Sequence, residues 1–147
     1  MTVYQGSCLC GAMAYRFDAE TGADGHCHCR SCRKASGSSF AANISVPAKA
    51  FRLLRGAAEL KRFESSPEKY RCFCSRCGSP LFAHVGEAPT FLRVRLGSLD
   101  NDFHAGAVCH FFTQHKADWF EITDDRPEYP QWPSADVLEL RGSKNDP

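Results

Sequence analysis

The 147-residue sequence contains no apolar run approaching the ~18 residues that a membrane helix requires. Its opening, Met1-Thr2-Val3-Tyr4-Gln5-Gly6-Ser7, lacks the basic-then-apolar layout of a secretion signal. Neither membrane insertion nor export is expected, which leaves the cytoplasm as the expected compartment. Surplus charge is also missing. Eighteen Lys+Arg stand against 17 Asp+Glu for a formal net charge of +1, so nothing draws the whole chain to a polyanion and a dedicated nucleic-acid role is disfavoured. No window keeps helical apolar spacing beyond a few turns, and no long repeat or low-complexity tract is present. A chain of this length can bury roughly 70% of its unfolded surface, enough for one core and therefore one domain.

What is abundant is cysteine. The nine cysteines are odd in number and cannot all pair within one molecule, and thiols of the cytosol stay reduced. Eight of them fall into three clusters: Cys8-x-Cys10, Cys27-x-Cys29-x-x-Cys32 and Cys72-x-Cys74-x-x-Cys77. Such spacing lets neighbouring thiolates point at one tetrahedral zinc ion from a single turn. Cys74-Ser75-Arg76-Cys77-Gly78 fits a zinc knuckle, in which glycine permits the tight reversal beside the metal. Cys8 and Cys10, followed by Gly11, supply the matching pair. Together Cys8, Cys10, Cys74 and Cys77 form an expected closed, structural site that ties the N-terminal strand to a hairpin far along the chain.

Cys27, Cys29 and Cys32 offer three thiolates and no fourth cysteine of the same local type. Three protein ligands leave one corner open, as in catalytic zinc, but Cys109, His110, His26 or His28 could close it, and spacing alone leaves both readings standing. His28, as the middle residue of Cys-x-Cys, is expected to point away from the metal. A zinc with three thiolates is a soft, electron-rich centre, poorly suited to activating water and well suited to taking another sulfur as thiolate. The expected partner is a small thiol such as glutathione, whose carboxylates could use Arg30, Arg33 or Lys34 beside the cysteines.

Between the clusters the elements read as short strands joined by turns. Ala12–Phe17, Ser39–Val46 and Phe91–Leu96 are expected strands, with Val108–Phe112 and Trp119–Ile122 as further candidates. Phe91–Leu96 alternates apolar and basic residues, the period of a half-buried strand. Asp18 to Gly25 reads as a turn. Arg30–Ser36, closed by Gly37, reads as one short helix. The fold class is therefore mainly β with one short helix. Lys49 to Arg76 is locally basic, which fits either a solvated face or an anion-binding wall.

Gly6-Ser7-Cys8-Leu9-Cys10-Gly11, Cys27 through Gly37, Phe73-Cys74-Ser75-Arg76-Cys77-Gly78 and the late Trp119-Phe120-Glu121-Ile122-Thr123-Asp124 resemble the glutathione-dependent formaldehyde-activating enzyme and centromere protein V family. The resemblance covers residues 5–133 and leaves 134–147 as a partly disordered tail. It implies a mainly β, Mss4-like zinc-binding fold with two zinc ions per chain. One would sit on Cys8, Cys10, Cys74 and Cys77, the other, assigned to catalysis, on Cys27, Cys29 and Cys32. The implied activity is that of a carbon–sulfur lyase, joining formaldehyde and glutathione as S-hydroxymethylglutathione and reversing that step. His26, His28 and His110 are candidates for a general base. Cys72 reads as a spare thiol and Cys109 as a packed one. The competing reading is a non-enzymatic zinc-stabilised module that binds a protein or nucleic acid, and oligomeric state is left open.

Overall fold

The computed structural model describes residues 2–18, 24–103 and 109–133. The expected tail over 134–147 lies outside them, as does the middle of the turn expected between Asp18 and Gly25. Along the chain run β1 (Val3–Ser7), β2 (Ala14–Asp18), β3 (Asp24–Cys27), α1 (Arg30–Ser36), β4 (Ala41–Pro47) and β5 (Phe51–Arg55). There follow β6 (Leu60–Ser66), β7 (Lys69–Cys74), β8 (Pro80–Val85), β9 (Phe91–Arg95), β10 (Cys109–Phe111) and β11 (Glu128–Tyr129). The fold is mainly β, and α1 is the one α-helix among the described residues.

Strands β1, β2 and β5 form a three-stranded antiparallel sheet in the order β1-β2-β5. The larger sheet runs β11-β10-β3-β4-β9-β8-β7-β6. Its pairs are antiparallel except around β10, which lies parallel to both β3 and β11. That parallel contact sets Phe111 beside Cys27 and His110 beside His26, joining residues far apart in sequence.

Because side chains alternate across a strand, each strand of the large sheet contributes to two different surfaces. One face carries Ile44 and Val46 of β4, Leu92 and Val94 of β9, Phe82 of β8 and Cys72 and Cys74 of β7. These meet Tyr15 and Phe17 of β2 and Met13, all fully buried, and make the main core. Each large apolar side chain so buried contributes about 1.5–3 kcal/mol. Cys72 belongs to this core, and burial pushes its thiol up to about 11, so it packs as a small apolar group.

The opposite face is polar and largely buried. Register places Asn43 opposite Arg95, Ser45 opposite Arg93, Ala83 opposite Arg93 and Arg71 opposite Ala83. Arg93 and Arg95 are only 4% and 6% exposed. The alternation of Phe91–Leu96 therefore marks a strand buried on both faces, with the basic face turned to an internal polar surface and not to solvent.

Arg30–Ser36 is helical as expected: the Cys29 sulfur accepts from the Cys32 N–H at its start, and Gly37, with φ 62°, closes it through an N–H bond to the Arg33 carbonyl. Trp119–Ile122 is not a strand. Trp119 is 72% exposed, and the Lys116 ammonium donates to the carbonyls of Ala117 and Phe120, folding the segment into a turn that lays Phe120 against His28 and Phe40.

Candidate metal centres and the adjoining cavity

Two loops of like design build the first cysteine group. After β1, the Gly11 N–H donates to the Cys8 carbonyl at 3.0 Å, and after β7 the Gly78 N–H donates to the Cys74 carbonyl at 2.8 Å. Both glycines have positive φ, 78° and 77°, which lets each chain reverse without a Cβ penalty. The sulfurs of Cys8, Cys10, Cys74 and Cys77 consequently lie within 4.8 Å of one another. Four sulfurs on one zinc at ~2.3 Å stand ~3.8 Å apart at tetrahedral corners. Cys8–Cys10 at 3.6 Å and Cys10–Cys74 at 3.9 Å bracket that spacing, so the donor set fits the ion both chemically and geometrically. The Met13 N–H points at the Cys8 sulfur at 3.2 Å, and the Ser79 hydroxyl and backbone N–H hold the Cys77 thiol down at about 5.

The second group is assembled locally. Cys27 ends β3, Cys29 caps α1 and Cys32 lies in its first turn, which brings the three sulfurs within 4.8 Å, with Cys27–Cys29 at 3.5 Å. Among the described residues no fourth His, Cys, Asp or Glu joins this group. Cys109 is buried with Cys27, Ala41 and Phe111 in a small apolar cluster. Hydrogen bonds from the Cys27 and Cys29 thiols hold Cys32 far below the ordinary thiol range, and the Arg71 and Arg95 charges act in the same direction. The same sulfur partners and burial push Cys27 up.

His28 turns away from the sulfurs, as its position in Cys-x-Cys suggested. Its Nε2 meets His110 Nδ1 at 2.8 Å, while His110 Nε2 meets the Asp124 carboxylate at 3.0 Å. His26 stacks on Phe40 with ring centroids 4.2 Å apart. Burial pulls both His26 and His28 down to about 4, so both are neutral at pH 7. This Asp124–His110–His28 chain braces the ligand loop from behind, together with the His28 N–H bond to the Phe111 carbonyl at 3.0 Å. Sequence spacing offers no signal for it, since its members meet only through the parallel β3–β10 pairing.

The three sulfurs open onto a cavity of about 560 Å³. One wall is basic, from Lys69 and Arg71 of β7 and Arg93 of β9, with Arg30 at the helix start. An aromatic part of the lining comes from Phe111, Phe112 and Trp132. No carboxylate is part of the described lining. Of the three basic residues that sequence proximity suggested, Arg30 lines the cavity, whereas Arg33 and Lys34 do not; the Arg33 guanidinium instead donates to the His115 carbonyl at 3.0 Å. His26, His28 and His110 also lie outside the lining, and His115 lies within it. Lys69 and Arg71 come from the locally basic stretch, so part of that stretch lines the cavity.

Fold and site together define a class: a small, mainly β protein with one four-cysteine and one three-cysteine group, each able to hold a metal ion, the latter beside a basic cavity. The family model for the glutathione-dependent formaldehyde-activating enzyme matches residues 3–115, and the chain belongs to that family. It is 31% identical over 128 residues, covering 80% of each chain, to a Halomonas elongata protein named "Putative glutathione-dependent formaldehyde-activating enzyme". A crystal structure of a Rhodobacter sphaeroides protein shares the fold, with a TM-score of 0.58, 22% identity and coverage of 67% of this chain and 90% of that one.

Proposed function

We propose that the protein is a zinc-dependent carbon–sulfur lyase that makes and breaks the adduct between a small thiol and an aldehyde, of the glutathione plus formaldehyde type. One observation carries this reading: three clustered thiols stand at the mouth of a basic cavity whose described lining holds no carboxylate. Family membership supports a glutathione-related role.

In this reading Cys8, Cys10, Cys74 and Cys77 hold a structural zinc and Cys27, Cys29 and Cys32 hold the second. The second ion, when bound, supplies a soft electrophile that keeps a substrate sulfur as thiolate at neutral pH. Arg30, Lys69 and Arg93 take the carboxylates of the thiol and fix its orientation. Phe111, Phe112 and Trp132 keep water from that side of the cavity. The sulfur then attacks the aldehyde carbon: a C–S bond forms, the carbonyl π pair moves to oxygen, and the proton given up by the thiol ends on that oxygen. The reverse step breaks the same bond. Holding both reactants in one cavity accounts for most of the rate gain. Free thiols require a reducing compartment, consistent with a cytoplasmic site of action, and no described helix is long and apolar enough to cross a membrane.

The test is exchange NMR with ¹³C-formaldehyde and glutathione, which reads adduct formation and breakdown directly. The zinc-loaded protein should accelerate exchange and the Cys27→Ser variant should not. Equal exchange rates with and without the loaded protein would discard this substrate pair.

A further inference from the structure

Arg95 is anomalous for a buried cation. It is 6% exposed, its Nη1 donates to Asn43 Oδ1, and its Nε has no hydrogen-bond partner among the described residues. No described carboxylate pairs with it. A charge held away from water is tolerated only beside compensating charge. The groups of opposite sign that act on Arg95 are the three sulfurs of Cys32, Cys27 and Cys29. Arg71 repeats the arrangement from the neighbouring part of the sheet. Its Nε donates to Ser65 Oγ at 2.9 Å, which aims both Nη atoms at the Cys32 sulfur, each 3.8 Å away. It too has no described carboxylate partner.

We infer that Arg71 and Arg95 are the built-in counter-charges of the three-cysteine site and determine that its free position accepts an anion in preference to a neutral ligand. The inference rests on the proposed zinc site and concerns its charge. A divalent ion on three thiolates carries one net negative charge, which repels a fourth anionic ligand. The Arg71 guanidinium at the Cys32 sulfur, with the buried charge of Arg95 acting on the same sulfurs, reverses that sign, and because arginine stays protonated the reversal persists at any physiological pH. The four-cysteine group shows no such device: among the described residues the partners of its sulfurs include the Met13 N–H and the hydroxyl and N–H of Ser79, and no guanidinium. Arg71 and Arg95 thus act through the sulfurs as positioning residues for an incoming thiolate.

Cobalt(II), loaded in place of zinc, gives visible absorption that reports each site, and Cys27→Ser identifies the bands of the second one. The loaded protein is titrated with three small ligands: 2-mercaptoethanol, a thiol without carboxylates; azide, an anion without sulfur; and imidazole, a neutral donor. In the parent protein the two anionic ligands should shift the second-site bands well below the imidazole concentration needed. Arg95→Met and Arg71→Met should each weaken the anionic ligands at least about tenfold, the effect of one removed charge at partly screened range, and leave imidazole within about twofold. Arg71→Lys should recover part of the loss, which a packing role would not. Should Arg95→Met fail to fold, the half-buried Arg71 carries the comparison alone. Arginine variants that bind two metals per chain and all three ligands as the parent does would overturn the inference, as would a parent site that prefers imidazole. Arginine-dependent azide binding without any thiol response would uphold it and sink the proposed thiol substrate instead.

Discussion

The two cysteine groups use the same ligand chemistry to opposite ends. In the first, pairs of sulfurs from loops after β1 and β7 converge from positions 64 residues apart, and the set is complete at four. In the second, one short segment supplies all three sulfurs, and what surrounds them comes from distant strands: guanidiniums from β7 and β9, an aromatic wall from β10 and Trp132, a histidine brace behind. The distant part of the first site is the ligands; the distant part of the second is the environment. A metal at the first site joins pieces of the fold, and a metal at the second rests on a fold already joined. The difference teaches where each site's failure would be felt.

The largest expected effect is that of Cys74→Ser. Structural zinc in finger peptides is worth about 10–16 kcal/mol of folding free energy, more than a small domain's whole net stability, so the variant should not fold. Circular dichroism and solubility at 25 °C are the readouts, and a soluble, native-like variant would erase the contrast. Next, Cys27→Ser should lose one of two zinc ions per chain and all turnover while keeping the parent far-UV spectrum, checked by metal analysis and exchange NMR. A chelator should sharpen the contrast further. Release followed by a colorimetric zinc indicator should be biphasic, with the second-site ion leaving at least about tenfold faster and without change in tertiary signal, since three ligands hold it where four hold the other. The smallest effect belongs to Gly78→Ala. Nothing lies within 4 Å of an added Cβ, so only the positive φ resists it, at a cost of about 1 kcal/mol in denaturant unfolding.

Local chemistry was legible in the sequence, and long-range chemistry was not. The three-cysteine group and α1 follow from spacing within a few residues, including the Gly37 cap and the outward turn of His28; the four-cysteine group spans 64 residues and was legible only because each of its two cysteine pairs is itself local and trailed by a glycine. Ser39–Val46, which stops at Pro47, and the alternating Phe91–Leu96 correspond to β4 and β9, because both signals are local. Strands β5 and β6 carry little sequence signal, since they are largely exposed and mix charged with apolar residues without clear period. Trp119–Ile122 has strand-forming residues but no neighbour to pair with. Alternation also cannot tell whether a strand's polar face meets water or a buried cavity; this is why Arg93 and Arg95 read as a surface and prove to be the least hydrated cations near the site. Phe111, Phe112 and Trp132 were beyond reach for a simpler reason: their role depends on which strands are adjacent.

The parallel seating of β10 against β3 has a consequence for how the molecule comes into being. A ribosome delivers the chain from its N-terminus, so the four-cysteine group can close once Cys77 has emerged, with β10 still unmade. The three sulfurs of the other group appear earlier still, on a hairpin whose brace and aromatic wall arrive only with residues 109–132. Between those moments the nascent chain exposes an ungated thiol cluster. β10 and β11, the last strands among the described residues, therefore act as its cover, and a chain that terminates before β10 should be a scavenger of metals and oxidants in place of a discriminating site.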